Sequence, residues 1–286
     1  METPFFFENN NYNLFGVLHE PEPNKHKKLN EPNKPPMGLV FCHPFAEEKL
    51  ISHRVMVNLA RILAKEGIYC LRFDYMGHGD SDGDFEDATI ETRLSDIHCA
   101  ISYLKYKYNL QRIGLLGVRF GATLAALLCQ NNDEINHLIL ISPLIEGKPY
   151  IYQCLRSNLT TQIASYKKVI KDRKGLINDL INGGTVNIDG HILTKTLYQQ
   201  IEEINLLEGS ATCPKEMLIV QIARRENQPL ENGLKKLHDI YRSQGAQVEL
   251  LGVKEDYFWA DSKQYNPHMS RIELAVVTWL RKRSYA

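Results

Sequence analysis

The sequence predicts an α/β protein: a doubly wound, mostly parallel sheet with one helical segment inserted late in the chain. Three observations lead there. Short continuous apolar runs alternate with longer amphipathic stretches, and strands buried on both faces are characteristic of parallel sheets covered by helices. Turn-forming residues punctuate these runs at short intervals. Residues 145–212 then break the rhythm with helical patterns and no clear strand. The predicted division is a core over 1–144 and 213–286, with a helical lid over 145–212.

Phe5–Phe7 and Leu14–Leu18 read as two early strands. Pro21, Pro23, Pro32 and Pro35, with Lys and Asn between them, mark an exposed loop over 20–36. Gly38–Cys42 is a predicted strand and His53–Glu66 a helix, stopped by Gly67. Ile68–Phe73 (strand), Ile90–Lys107 (helix), Ile113–Leu116 (strand), Ala122–Gln130 (helix) and Leu138–Ile141 (strand) continue the pattern. Within the insertion, Ile151–Ile170 and Lys195–Leu206 carry helical spacing, separated by the turn-rich Asn182-Gly183-Gly184. Met217–Ile222, Leu230–Gln244, Val248–Val253 and Ile272–Lys282 close the chain as strand, helix, strand and helix.

Composition narrows the function classes. Thirty-four Lys and Arg balance thirty-four Asp and Glu over 286 residues. That argues against non-specific nucleic-acid binding, which needs an excess of cations on one face. No apolar run approaches the roughly 18 residues of a membrane span. The start of the chain reads as carrying no signal peptide, having no basic leader before a long apolar run. Six cysteines are scattered singly with no C-x-x-C pair. They read as free thiols in a reducing compartment, with a cytoplasmic location and neither disulfides nor a metal site expected. No cofactor motif is recognised.

In a doubly wound sheet the ligand site lies at the carboxyl ends of the strands. Three loops converge there: Phe41–Lys49, Phe73–Gly83 and Gly114–Ala122. The third has a strand, Gly-x-Xaa-x-Gly and a helix, the layout of a nucleophile elbow. Its central residue is Arg119. A guanidinium stays protonated and cannot accept an acyl group.

The core resembles the α/β-hydrolases, and more narrowly is similar to the exosortase A system-associated hydrolases (type 2) of bacterial exopolysaccharide and protein-sorting loci. The resemblance rests on Pro44-Phe45-Ala46-Glu47-Glu48, Ser52-His53-Arg54, the run Gly79–Thr89 and Gly117–Ala122, with a looser match at Gly190–Thr194. It spans residues 37–280, and an elbow arginine is itself what that subgroup shows. The resemblance implies an α/β-hydrolase fold and a hydrolase label. Fold alone does not fix function.

Ser-His-Asp chemistry also needs a base and an orienting acid. After the strand at 217–222, Glu226 is the only carboxylate close by. After Val253 the sequence runs Lys-Glu-Asp-Tyr-Phe-Trp, so Tyr257 stands where a histidine is expected and His268 falls well beyond. The backbone N–H of Phe120 and that of Phe45 or Ala46 are predicted to form an oxyanion pocket. Together with Arg119 they predict an anion-attracting site, suited to a carboxylate, a phosphate or a sugar acid. The competing reading of Arg119 is an ion pair with Glu47 or Glu48 that closes the site.

His43, before Pro44 on the oxyanion loop, is a candidate contact residue or a loop-shaping one. Tyr257, Phe258 and Trp259 line a pocket or pack against the lid. The acidic run Asp80–Asp87 has calcium-loop charge density but lacks the spacing of an EF-hand.

Two functions follow. The first is hydrolysis or acyl transfer at an ester, amide or acyl group of an anionic or glycan-like substrate, with Glu226 or Glu47 as base on a water and Arg119 holding the oxyanion. The second is a catalytically inactive protein binding an anionic ligand or a protein of the same pathway.

Overall fold

The computed structural model describes residues 1–22, 35–130, 132–209, 214–260 and 270–284. The predicted loop over 20–36 lies mostly outside these residues, as do Cys213 and His268.

Strands β1 (Glu2–Asn9) and β2 (Tyr12–His19) form an antiparallel hairpin. Then come β3 (Met37–Cys42), α1 (Glu47–Lys65), β4 (Tyr69–Phe73), α2 (Ile90–Tyr108), β5 (Arg112–Val118), α3 (Phe120–Cys129) and β6 (Ile135–Ile141). The inserted segment holds α4 (Gly147–Tyr166), α5 (Arg173–Ile181), β7 (Val186–Ile188), β8 (His191–Leu193) and α6 (Lys195–Glu203). The chain returns through β9 (Glu216–Ala223), α7 (Asn232–Ser243), β10 (Gln247–Lys254) and α8 (Ser270–Ser284).

Eight strands make one sheet in the order β1-β2-β4-β3-β5-β6-β9-β10. Only β2 runs against the rest. The doubly wound expectation therefore holds. The chain leaves β3 for β4 on one side and returns to β5 on the other. The carboxyl ends of β3 and β5 thus flank the switch point where such sheets bind ligands.

Side-chain alternation explains how both sheet faces are filled. Leu39 and Phe41 of β3 face one core with Leu59 and Leu63 of α1 and Val276 and Trp279 of α8. Val40 and Cys42 face the other core, with Ile97 and Leu104 of α2 and Leu124 of α3. Helix α2 is closed by a capping box in which Thr89 and Thr92 exchange hydrogen bonds. Helix α1 begins at Glu47, six residues before the predicted start. Its first turn is acidic rather than apolar-periodic, which suits a helix N-terminus but hides it from a hydrophobic pattern.

The insertion departs from expectation in one respect. It contains the β7–β8 hairpin, where the sequence shows no clear strand. Three-residue strands are too short to show a period. The legible signal was Asp189-Gly190, both at positive φ, which is hairpin-turn chemistry. The helix predicted over Ile151–Ile170 ends at Tyr166, where Lys167 turns left-handed. Helix α5 lies between the two predicted helices and adds to them.

The insertion shares the apolar core of the α2–α3 face through Tyr150, Ile151, Leu155, Leu193 and Ile201. Its two ends are clipped together where the Gly147 amide donates to the Ile204 carbonyl (2.8 Å) and the Leu206 amide to the Ile145 carbonyl (2.9 Å). Gln200 latches α6 to α2: its Oε1 accepts from the Ile90 amide (2.9 Å) and its Nε2 donates to Glu91 (2.7 Å).

Candidate functional site

The elbow is built as its sequence requires. Arg119 sits between β5 and α3 with φ 54° and ψ −121°, a strained conformation for any residue with a side chain. A Cβ on Gly117 would lie 2.4 Å from the Ala122 Cα, and one on Gly121 only 2.1 Å from the Cys42 carbonyl oxygen. Both flanking positions therefore have to be glycine. Ala46, which caps α1 on the oxyanion loop, adopts nearly the same strained backbone, φ 47° and ψ −128°. Ser142, just after β6, has φ 46°. Strain thus collects at the carboxyl ends of β3, β5 and β6, where ligand sites of this architecture form.

Arg119 is enclosed. Its Nη2 lies 3.4 Å from Glu48 Oε1, with the two side chains 14% and 18% exposed. The Tyr150 hydroxyl, on the insertion helix α4, donates to Glu48 Oε2 at 3.3 Å. The guanidinium carbon is 5.0 Å from the Trp259 ring centroid and 5.7 Å from that of Tyr150. Arginine stacks on such rings through dispersion and the ring quadrupole. Arg119 Nε is buried without a hydrogen-bond partner among the described residues. Burial pushes the Glu48 carboxyl above its ordinary range, against the opposing pull of Arg119 and the Tyr150 hydroxyl.

A cavity of about 270 Å³ opens above this cluster, between the oxyanion loop and the insertion. Phe45, Ala46, Glu47 and Glu48 line it from the core, Tyr150, Gln153, Cys154 and Ser157 from α4, and Trp259 from the loop after β10. Phe45 packs edge-on against Phe120 (5.3 Å), which stacks on Tyr150 (5.7 Å). The amides of Phe120, Phe45 and Ala46 donate to no backbone carbonyl among the described residues.

The expected anion-attracting pocket takes a different form. The charged side chains lining the cavity are Glu47, Glu48 and Asp189. Arg119 is not among the lining residues, because Glu48, Tyr150 and Trp259 cover its charge. Arg119 forms an ion pair with Glu48 rather than Glu47.

The remaining candidates scatter. Glu226 is not brought to Arg119. It is 65% exposed and pairs with Arg271 (3.3 Å) and Lys254 (3.8 Å), in a separate groove beside β10 and α8. Two exposed cations nearby hold it there. Tyr257 lies behind the pocket, stacked on Trp259 (5.2 Å) with the Arg224 guanidinium on its ring (4.8 Å). His43 is buried; its Nδ1 donates to the Pro44 carbonyl (2.7 Å), and its Nε2 accepts a long contact from the Tyr75 amide (3.5 Å). Burial, then the nearby charge of Lys49, hold it well below the ordinary imidazole range. It braces the loop as a neutral ring. Among the described residues no group of three or more His, Cys, Asp or Glu is placed to hold a metal ion.

The sequence does not single out Tyr150; Trp259, one of the three aromatics that line a pocket or pack against the lid, does line the cavity. Trp259 was legible as an aromatic in the loop that normally carries the histidine. Tyr150 had no local signal, because only the packing of α4 brings it to the elbow.

Residues 34–238 match the family of serine aminopeptidases S33. The chain belongs to this α/β-hydrolase family. Among solved structures it is similar to the ferulic acid-bound Est1E of Butyrivibrio proteoclasticus, at 21% identity and TM-score 0.67 over 99% of this chain and 100% of that one. It is similar to the α/β-hydrolase GrgF of Penicillium sp. sh18 (16%, TM-score 0.62, all of both chains). It is also similar to an esterase of Pyrococcus furiosus (18%, TM-score 0.60, 100% of this chain and 91% of that one). At these identities the likeness is one of fold. An uncharacterized protein of Rickettsia prowazekii (strain Madrid E) is 32% identical over 120 residues, 42% of this chain. The chain spans about half the length of that curated relative, 49%. In this S33-family chain the turn between β5 and α3 carries Arg119. No helix among the described residues is long and apolar enough to cross a membrane.

Proposed function

We propose that this S33-family protein binds a hydroxyl-rich, glycan-like ligand in the pocket above the elbow and carries out no acyl transfer through a serine. The carrying observation is that the residue at the elbow turn is Arg119, paired with Glu48 of α1 and covered by Tyr150 and Trp259. The pocket's aromatic faces and carboxylates, with Gln153 and Ser157, suit stacking against a sugar ring and acceptance of its hydroxyl protons. The exosortase-associated (type 2) resemblance supports the glycan-like class and a partner from an exopolysaccharide or protein-sorting pathway. Free thiols at Cys42, Cys70, Cys99, Cys129 and Cys154 support a cytoplasmic setting. The test is a fluorophosphonate probe, run beside calorimetric titration with neutral oligosaccharides and with uronic acids. Expected are no covalent labelling and heat of binding with the neutral sugars that Trp259→Ala abolishes. Serine labelling defeats the proposal, as does absence of heat with every sugar.

One observation favours hydrolysis as a second reading. A carboxyl with a raised pKa, Glu48, stands beside Glu47 in a cavity that Phe45 and Ala46 of the oxyanion loop also line. A carboxylate so placed can take a proton from water while amides stabilise the oxyanion. In that reading the substrate is an ester, amide or acyl group on an anionic or glycan-like molecule, with Glu47 or Glu48 as base in place of Glu226. p-Nitrophenyl ester turnover lost in both Glu47→Gln and Glu48→Gln would establish it. No turnover above the buffer rate would dismiss it.

A further inference from the structure

The free end of the insertion is built against the usual economy of a soluble surface. Ile163 and Tyr166, near the end of α4, are 52% and 62% exposed; Val169 and Ile170, in the turn that follows, are 46% and 56% exposed. These four lie within eight residues of one another, on a chain whose net charge is zero. Residues 167–174 carry five cations, Lys167, Lys168, Lys171, Arg173 and Lys174, against the single carboxylate of Asp172. Asp172 is occupied in capping α5, accepting from the Gly175 amide (2.8 Å). Lys171 pairs with Asp179, and Arg173 stacks on Tyr152. Lys167 Nζ donates to the Ala164 carbonyl (3.0 Å), and Lys167, Lys168 and Lys174 form no ion pair among the described residues.

The turn is held in this shape. Gln162 is buried, and its Oε1 accepts from the amides of Ile170 (2.6 Å) and Lys171 (2.9 Å). Its Nε2 donates to the Lys171 carbonyl (3.0 Å) and to Asn158 (2.7 Å). A buried amide with its bonding capacity used keeps the backbone of 170–171 folded against α4. Val169 and Ile170 consequently point outward from a braced turn.

Exposed apolar side chains flanked in sequence by lysines without carboxylate partners match an anionic lipid surface, where apolar groups enter the headgroup layer and ammonium groups meet phosphates. We propose that this tip docks the protein on membranes containing anionic lipid. Helix α4 carries both features: Ser157 of the pocket and Tyr166 of the tip are nine residues apart, about 14 Å along the axis. Docking would bring the pocket close to the lipid surface. The inference stands independently of what the pocket binds.

The test is cosedimentation of the whole chain with vesicles of phosphatidylcholine alone and of phosphatidylcholine mixed with phosphatidylserine. Expected is binding to the mixed vesicles, weakened in high salt, with each removed lysine charge costing about five-fold in affinity. Lys167→Glu/Lys168→Glu and Ile170→Asp should each weaken binding at least about ten-fold without lowering the melting temperature. Leu274→Asp, at an exposed apolar residue elsewhere, should bind as the parent does. Absence of binding to both vesicle types, equal binding to both, or undiminished binding by Ile170→Asp would overturn the proposal. So would capture of the tip by polyglutamate with no vesicle binding, which would point to an acidic protein partner instead.

Discussion

Replacing Arg119 by Met and Glu48 by Gln, singly and together, tests whether the elbow is held closed by charge. At 3.4 Å and an effective dielectric of ~20 the raw attraction is about 5 kcal/mol. Most of that is offset, because burial opposes Glu48 ionisation and both side chains keep some contact with water. The coupling left for a double-mutant cycle is about 1–2 kcal/mol. Urea unfolding of the four proteins at pH 7 measures it. The pH dependence has a defined direction. Glu48 has a folded pKa above its ordinary 4.5, so its contribution to stability is complete below that value and is lost as pH rises through the folded pKa. Removing Arg119 takes away the charge that opposes this upward shift. The destabilisation by Arg119→Met should therefore be larger at pH 7 than at pH 4, and the difference should vanish in the Glu48→Gln background. Additivity within about 0.3 kcal/mol, or equal destabilisation at both pH values, would refute the reasoning.

Further outcomes follow from the same geometry. Gly121→Ala should cost at least about 2 kcal/mol or prevent folding, since its Cβ meets backbone at 2.1 Å; Gly175→Ala, with its nearest atom at 3.4 Å, should be nearly neutral in the same urea titration. Gln200→Leu leaves the Ile90 amide and Glu91 without their partner, and should lower stability by about 1–2 kcal/mol while speeding proteolysis within the insertion. The Cys42 and Cys154 thiols, pushed up to about 12 by burial, should resist Ellman's reagent at pH 8 until the protein unfolds.

The sheet was legible because each core strand is an apolar run between turn residues, and the order of strands and helices followed from that alternation. The elbow was legible for a stronger reason: Gly117 and Gly121 have steric duties that no other residue can perform. Charge placement was less accessible. Glu226 is near the expected strand end, yet Arg271, far along the chain on α8, draws it aside. Glu48 and Glu47 are adjacent in sequence, and only the turn of α1 decides which one meets Arg119. Tyr150 arrives from the insertion, whose packing no local pattern encodes. The β7–β8 hairpin shows the remaining weakness: three-residue strands offer too few positions for a periodicity, so only the Asp189-Gly190 turn could have betrayed them.

The indole over the elbow has a consequence for any attempt to install turnover. Arg119→Ser alone would place a hydroxyl on the tight bend with an aromatic carbon face beside it and, among the described residues, no imidazole in contact to receive its proton. A second exchange, Trp259→His, supplies one but strips the roof from the cavity. Restoring a proton relay and keeping the enclosure are competing demands on one side chain, so an active variant would have to rebuild the wall from the α4 side.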